Sequence, residues 1–567
     1  MIKYYTGYIL ISLLTFLLSL QLSLNCTSEQ EKMTQEFKRF LSSYEDRVIP
    51  LTKESNLAYF MATTSGEDSL YQNLENLQVE LTKIYANKND FIKLTEIKKS
   101  NAIQEPQLKR QLEIIYNAYL EKQLNEEILK EIISMQTDLE KRYSTFRAEF
   151  DGKKYTDNEI EDILGSSRDS RSLEKAWKAS KQIGMEVVAD VLKLVDLRNR
   201  AARELGFDNY HTMQLLINDQ NPQEIDALFN ELDSLTRDSF IQLKSNMDRF
   251  LGRRYRRRAG TLMPWHYQNR FFQEAPKIYN VDLDQFFRNR DVVEVTRKYF
   301  ASLGLPIDDL IAKSDLYERE GKYQHAYCTD IDRQGDVRVV CNVRPNQRWM
   351  NTLLHEFGHA VYDKFNDRDL PWTLRRPAHT FTTEAIAMLM GNFASNPYWI
   401  GEILEIPESR INRVAEDCIK SLRLETLVFS RWAQVMYRFE RAMYANPDQD
   451  LNKLWWDLVE KYQMIKRPPG RNQPDWAAKI HVALYPAYYH NYLLGNILAS
   501  QIYYYIGKEV LKNENITEQT FYAKKEVGSY LIEKIFKAGA LYHWNDMIAN
   551  ATNEKLTAKY YALQFIQ

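Results

Sequence analysis

A chain of 567 residues can bury a large interior and is no small stapled scaffold. Its 75 Lys and Arg nearly balance 77 Asp and Glu, so a formal charge of -2 gives no global reason to bind nucleic acid or a strongly charged substrate. With only 19 glycines and 16 prolines, turn chemistry is too sparse for an all-β chain, and a mainly α fold is expected.

The chain opens with "MIKYYTGYILISLLTFLLSLQLSLNC", a lysine followed by an apolar run of the kind that directs export, so residues 1–25 read as an export signal. The alternative is a membrane anchor, because the run approaches spanning length. Cys26, followed by the polar "TSEQEK", resembles the lipid-attachment site of bacterial lipoproteins, which implies a periplasmic or cell-envelope lipoprotein held to the membrane only through that residue. Long amphipathic patterns then dominate. In "MEVVADVLKLVDLRNRAAREL", Val188, Val191, Leu192, Val195 and Ala202 recur at helical spacing and Gly206 stops the helix. No repeat of fixed period and no low-complexity linker breaks the mature chain, so 26–567 reads as one helical body. The cluster "RRYRRR", Arg253 to Arg258, reads as a solvated helix end or loop before it reads as an anion site.

The segment "CTDIDRQGDVRVVCNV" predicts a short hairpin turning at Gly335 and Asp336 and leading into the next helix. Cys328 and Cys341 lie close together there. In an exported chain they either form a disulfide or remain two thiols, whereas Cys418 reads as a small apolar residue on a helix. In "LLHEFGH", His355 and His359 are one helical turn apart on one face, and both imidazoles can reach one ion. Glu356 stands beside them, placed to take a proton from water without being a ligand. Leu353, Leu354, Phe357 and Val361 supply an apolar side for that helix. A zinc site of this kind needs a third ligand and one open position. Glu384 in "PAHTFTTEAIAMLMG" is the candidate, read as lying in the first turn of a helix capped by Thr382 or Thr383, with His379 as competitor. Further on, "DWAAKIHVALYPAYYHNYLLGNILASQIYYY" gathers Lys479, His481 and several tyrosines able to donate to an oxyanion.

The stretch from "HEFGH" through "DLPWTLRRPAHTFTTEA" resembles the angiotensin-converting-enzyme family of zinc peptidyl-dipeptidases, and the similarity extends to "NLAYFMATTSGED" and "AWKASKQIGMEVVADVLKLVDLRNRAARELGFDNY". The resemblance implies a large two-lobed helical zincin of the gluzincin type, built of two helical subdomains, with a deep central cleft and a small β element near the site. It implies one Zn2+ per chain, a monomer, and oligopeptide substrates. His325 and Ala326 resemble a His-Ala pair that contacts bound peptide. Lys479 resembles the lysine that holds the substrate's C-terminal carboxylate, and His481 the histidine near the scissile carbonyl. Tyr489 then helps hold the carboxylate and Tyr492 stabilises the oxyanion, with Tyr488 as the alternative to Tyr489. Gln268 resembles a carboxylate-binding glutamine. Two departures stand out. The family's chloride-binding arginine falls near His490 or Asn491, which puts chloride dependence in doubt, and an acidic partner of a zinc histidine is replaced by Met388, leaving Asp363 as the candidate substitute. The tyrosine-rich tail also resembles thimet-type and F-type oligopeptidases, so an endo-acting peptidase is the second reading. A catalytically inactive surface binding protein is the third.

Overall fold

A computed structural model describes residues 2–279, 281–513 and 515–566, with the side chains of residues 2–28 outside the description. The export segment and Cys26 therefore fall outside what is described. No helix among the described residues is long and apolar enough to cross a membrane. The fold is mainly α, as the composition implied, and its chain contacts group into two compact units.

The first unit comprises 1–123 with the short segments 331–334 and 368–375. Its long first helix, Ile2–Ser65, turns Phe37, Phe40, Tyr44 and Val48 inward at helical spacing. Leu94 and Ile97 of Lys88–Ser100, and Leu108, Leu112, Ile115 and Tyr119 of Pro106–Glu121, complete the core together with Trp372.

The second unit comprises 124–330, 335–367 and 376–567. The helix predicted around "MEVVADVL" runs Gln182–Glu204, burying Val191, Val195 and Ala202, and Gly206 follows it at φ 87°. Helix Pro222–Tyr255 ends inside the basic cluster, where Arg256 takes a left-handed conformation and Arg254 donates to the carbonyls of Gly165 and Ser166. The cluster is thus a helix terminus. Cys418 is buried on helix Glu408–Ala445. The predicted hairpin forms as strands Tyr327–Asp330 and Val337–Val340, antiparallel, with Tyr327 opposite Val340 and Asp330 opposite Val337. Gly335 turns it at φ 107°, a value only glycine adopts without strain. The inward face of the second strand, Val337 and Val339, is buried, and both strands pack on helix Gln347–Lys364. Cys328 is half-buried, Cys341 is buried, and both are free thiols, so the reduced alternative holds in this structure.

Candidate active site

Helix Gln347–Lys364 begins at Asn346, whose side chain accepts from the amide of Trp349. Leu353, Leu354, Phe357 and Val361 are fully buried on one side. The other side presents His355 and His359, their ring centroids 4.9 Å apart, with Glu356 buried between the turns. Helix Thr380–Gly391 lies directly across it. The approach is close because residue 358 is glycine: a Cβ there would sit 2.8 Å from the Cα of Ala387. This contact delivers Glu384. Its Oε2 lies 3.7 Å from His355 Nε2 and 3.9 Å from His359 Nε2, and all three ligand atoms fall within 4.8 Å of one another.

Burial pulls the His355 imidazole down to about 4, and burial together with His355 pulls His359 down to about 3, so both rings are neutral at neutral pH with lone pairs free for a metal. Burial raises Glu384 to about 7, and burial followed by the Glu384 charge raises Glu356 to about 8. Among the described residues no Lys or Arg forms an ion pair with either carboxyl. The hydroxyl of Thr383 stands 2.7 Å from His359 Nδ1 and so leaves Nε2 for the ligand position. Two neutral imidazoles and one carboxylate, converging with Glu356 alongside but outside the triad, are a donor set that fits one zinc with an open position.

Three expectations about this region need correction. Helix Thr380–Gly391 is capped by His379, whose Nδ1 accepts from the amide of Phe381, so Thr382 and Thr383 lie inside the helix. Glu384 is consequently in the second turn, and its position is set by the facing helix rather than by the helix dipole. His379, occupied as a cap, is no competitor for the third ligand. Thr383, one residue before Glu384, is the hydrogen-bond partner of His359. Met388 packs toward Gly495, where a Cβ would meet its sulfur and the Cβ of Glu384 at 3.2 Å.

The downstream cluster is assembled around Lys479, which precedes helix Ile480–Leu484. Its side chain is nine-tenths buried, with Nζ 2.6 Å from Gln273 Oε1 and 5.5 to 5.6 Å from the ring centroids of Trp432, Phe271 and Tyr489. No carboxylate among the described residues forms an ion pair with it, and burial, then Arg270, lowers its ammonium to about 8. Trp432 Nε1 donates to Tyr489 Oη at 2.8 Å. The His481 ring lies 5.1 Å from that of Tyr489, its Nδ1 is buried without a partner, and burial, then Lys479, holds it near 4. Tyr492, on helix His490–Tyr505, stacks edge-on with Tyr489 at 5.4 Å, and burial followed by the Glu384 charge raises its phenol. Tyr488 points the same way. Its ring is 5.5 Å from Tyr492, and burial, Tyr492 and Glu384 raise it in turn. Tyr489 therefore belongs with Lys479, and Tyr488 with the ligand triad.

Gln268 is not on this lysine: its Oε1 accepts from the Lys277 amide at 2.9 Å, and Gln273, five residues on, takes the place assigned to it. Nothing in the local sequence singles out Gln273, because its partner is 206 positions away. His325 is exposed with its ring 5.2 Å from Tyr323, and Ala326 is half-buried at the start of strand Tyr327–Asp330. Among the described residues neither makes a hydrogen bond or ring contact with the ligand triad. His490 and Asn491 are both tied to Gln220, at 2.7 Å each, in a buried neutral network.

The sequence model of one peptidase family, described as angiotensin-converting enzyme (peptidase M2), matches residues 31–565. Angiotensin-converting enzyme of Rattus norvegicus is 23% identical over 456 residues, covering 73% of this chain and 34% of that protein. The enzyme of Oryctolagus cuniculus is 24% identical over 456 residues, covering 73% and 34%. Mitochondrial intermediate peptidase 2 of Cryptococcus neoformans var. neoformans serotype D is 25% identical over 246 residues, covering 40% and 28%. The chain spans about a third of the length of the angiotensin-converting enzymes it matches.

Proposed function

Since the chain belongs to the angiotensin-converting enzyme family of zinc metallopeptidases, we propose that it hydrolyses oligopeptides and releases C-terminal dipeptides. The observation that carries the finer reading is Lys479, a buried ammonium that forms no ion pair with a carboxylate among the described residues and is backed by Gln273 and Tyr489. A free peptide C-terminus supplies the missing anion, and anchoring it there sets which bond is cut. Zinc, held by His355, His359 and Glu384, would polarise the scissile carbonyl and lower the pKa of water to about 7.

Glu356 accepts the proton of the attacking water and returns it to the leaving amine. Tyr492 donates its hydroxyl to the developing oxyanion, and neutral His481 offers a ring N–H nearby. Strand Tyr327–Asp330 pairs on one edge only among the described residues. Its other edge, with His325 and Ala326 at its start, suits the extended backbone of the peptide. The reading carries no chloride requirement, since the buried neutral trio of His490, Gln220 and Asn491 stands where an arginine would be needed. Export and lipid attachment at Cys26 belong to the same reading on sequence grounds.

Mass-spectrometric mapping of products from peptides with free and amidated C-termini tests it. Dipeptides are expected from the free peptides, and amidation is expected to lower kcat/KM roughly a hundredfold by leaving Lys479 unpaired. Glu356→Gln is expected to keep zinc and lose about 10²- to 10⁴-fold in kcat. Undiminished internal cleavage of the amidated peptides would instead favour the endo-oligopeptidase.

A further inference from the structure

Beside the lysine anchor lies a cavity of about 830 Å³ in the second unit. Gln273, the hydrogen-bond partner of Lys479, forms part of its wall, and so does Phe429, whose ring stands 6.3 Å from that of Tyr489. Asn351 and Thr352 come from the turn preceding His355, and Asn496 from the turn following Tyr492. The cavity is thus bordered by the ligand helix, by the tyrosine helix and by the two groups that hold Lys479 and Tyr489. A peptide whose terminal carboxylate rests on Lys479 has its last side chain at this wall.

The charge in that wall is uneven. Glu274, Glu425, Asp282 and Asp284 line it, against Lys277 and Arg348. Two of the acids are already engaged: Asp282 pairs with Arg288 at 3.2 Å, and Asp284 accepts from the Gln347 amide at 2.9 Å. Glu274 and Glu425 are different. Neither forms an ion pair with Lys277, Arg348 or any other described cation. Burial, and after it the charge of Glu274, raises the Glu425 carboxyl. Glu274 Oε1 accepts from Nε2 of Gln273 at 3.5 Å, and Gln273 in turn accepts from Lys479, so Glu274 stands at the junction between anchor and cavity, where its charge acts on Lys479 and Tyr489. Two carboxyls that form no ion pair with a described cation face a space large enough for a long side chain, next to a buried ammonium that likewise forms none.

We propose that this cavity receives the side chain of the substrate's C-terminal residue and selects a basic one, Lys or Arg, through Glu274 and Glu425. The proposal rests on the dipeptide-releasing activity above and adds the substrate class. Its chemistry is complementary: the peptide's terminal carboxylate meets Lys479, and its cationic side chain meets the two acids. A C-terminal Glu would bring a third negative charge into the same space.

The test is a set of otherwise identical peptides ending in Lys, Leu or Glu, assayed for kcat/KM and product with the zinc-loaded full chain. Lys is expected to exceed Leu by about tenfold and Glu to fall below Leu by a similar factor, the scale of one partly solvated charge pair. In Glu274→Gln/Glu425→Gln the Lys-to-Leu ratio should approach one, and in Glu425→Lys the order of Lys and Glu should invert. Ratios within one variant cancel any general loss of active protein. Moving the lysine to the penultimate position should abolish the preference; a preference that moves with it overturns the assignment. Dipeptide release at equal kcat/KM for all three endings overturns the charge proposal and leaves the dipeptide reading standing. Release of fragments other than dipeptides overturns both.

Discussion

Lys479 shows how one side chain is held against its own solvation. An ammonium nine-tenths buried, with an amide oxygen and three aromatic rings as company, loses more hydration than these neighbours replace. The consequence is visible in its depression from 10.5 to about 8. For a base whose folded value lies below its unfolded one, the unfolded chain binds more protons through the interval between them. Stability therefore rises with pH from about 8 to 10.5 as the folded protein sheds a charge that the unfolded one keeps. Lys479→Met should raise the thermal midpoint at pH 7, by an effect on the order of 2–3 kcal/mol, while raising KM for peptides with a free C-terminus. Thermal unfolding of both proteins from pH 7 to 10 checks this: the gap should narrow as pH climbs, and a constant gap would show that the buried charge is not its source. Tyr488 and Tyr489 illustrate a limit of reading by position. Adjacent residues on a turn face different partners, so spacing alone left both open, and Lys479 on one side and Glu384 on the other separate them.

At the level of elements, the site is a contact between two helices. Gly358 stands in the middle of "HEFGH" for a reason that lies on the other helix, where the Cα of Ala387 leaves no room for a Cβ. In an unconstrained helix, Gly→Ala stabilises by about 0.5–1 kcal/mol. Here the added methyl must separate the ligand helices, and a net loss of about 1–3 kcal/mol with weaker zinc retention is expected of Gly358→Ala. Calorimetry and metal analysis on the same sample measure both, and a stabilised variant with full zinc would sink the packing argument. The same two helices show what was legible from the start. Spacing along one helix is local, so His355, Glu356 and His359 could be read directly, as could the hairpin before them, which turns at a glycine. The start of the second helix was misplaced because histidine is an uncommon cap and two threonines looked better. Thr383 as the orienting group could not be read at all, since its role exists only once the helices are packed. Gln273 was missed for the same reason across a far longer separation.

For the whole molecule, the metal and the fold are linked. Without a cation, Glu356 and Glu384 are two buried carboxyls raised by burial, and the first is raised further by the second. A zinc ion bound only by the folded chain removes that conflict and shifts the unfolding equilibrium by mass action, about 4 kcal/mol at a thousandfold excess over Kd. Exhaustive chelation should lower the thermal midpoint by several degrees, and zinc should restore it where magnesium, which prefers oxygen donors, does not. Differential scanning calorimetry of the chelated and reloaded protein checks this, and an unchanged midpoint would place the metal outside the folded site.

The first unit is not a continuous stretch of chain. Trp372, buried in its core beneath the Arg333 guanidinium at 4.0 Å, comes from the connection that joins the helix of His355 and His359 to the helix of Glu384. A shortened version of this protein that begins after residue 123 would thus leave an indole without its pocket, midway between the first two metal ligands and the third. Residues 37–119, which supply that pocket, are better regarded as a foundation for the connection, and any boundary chosen for producing the catalytic part has to keep them.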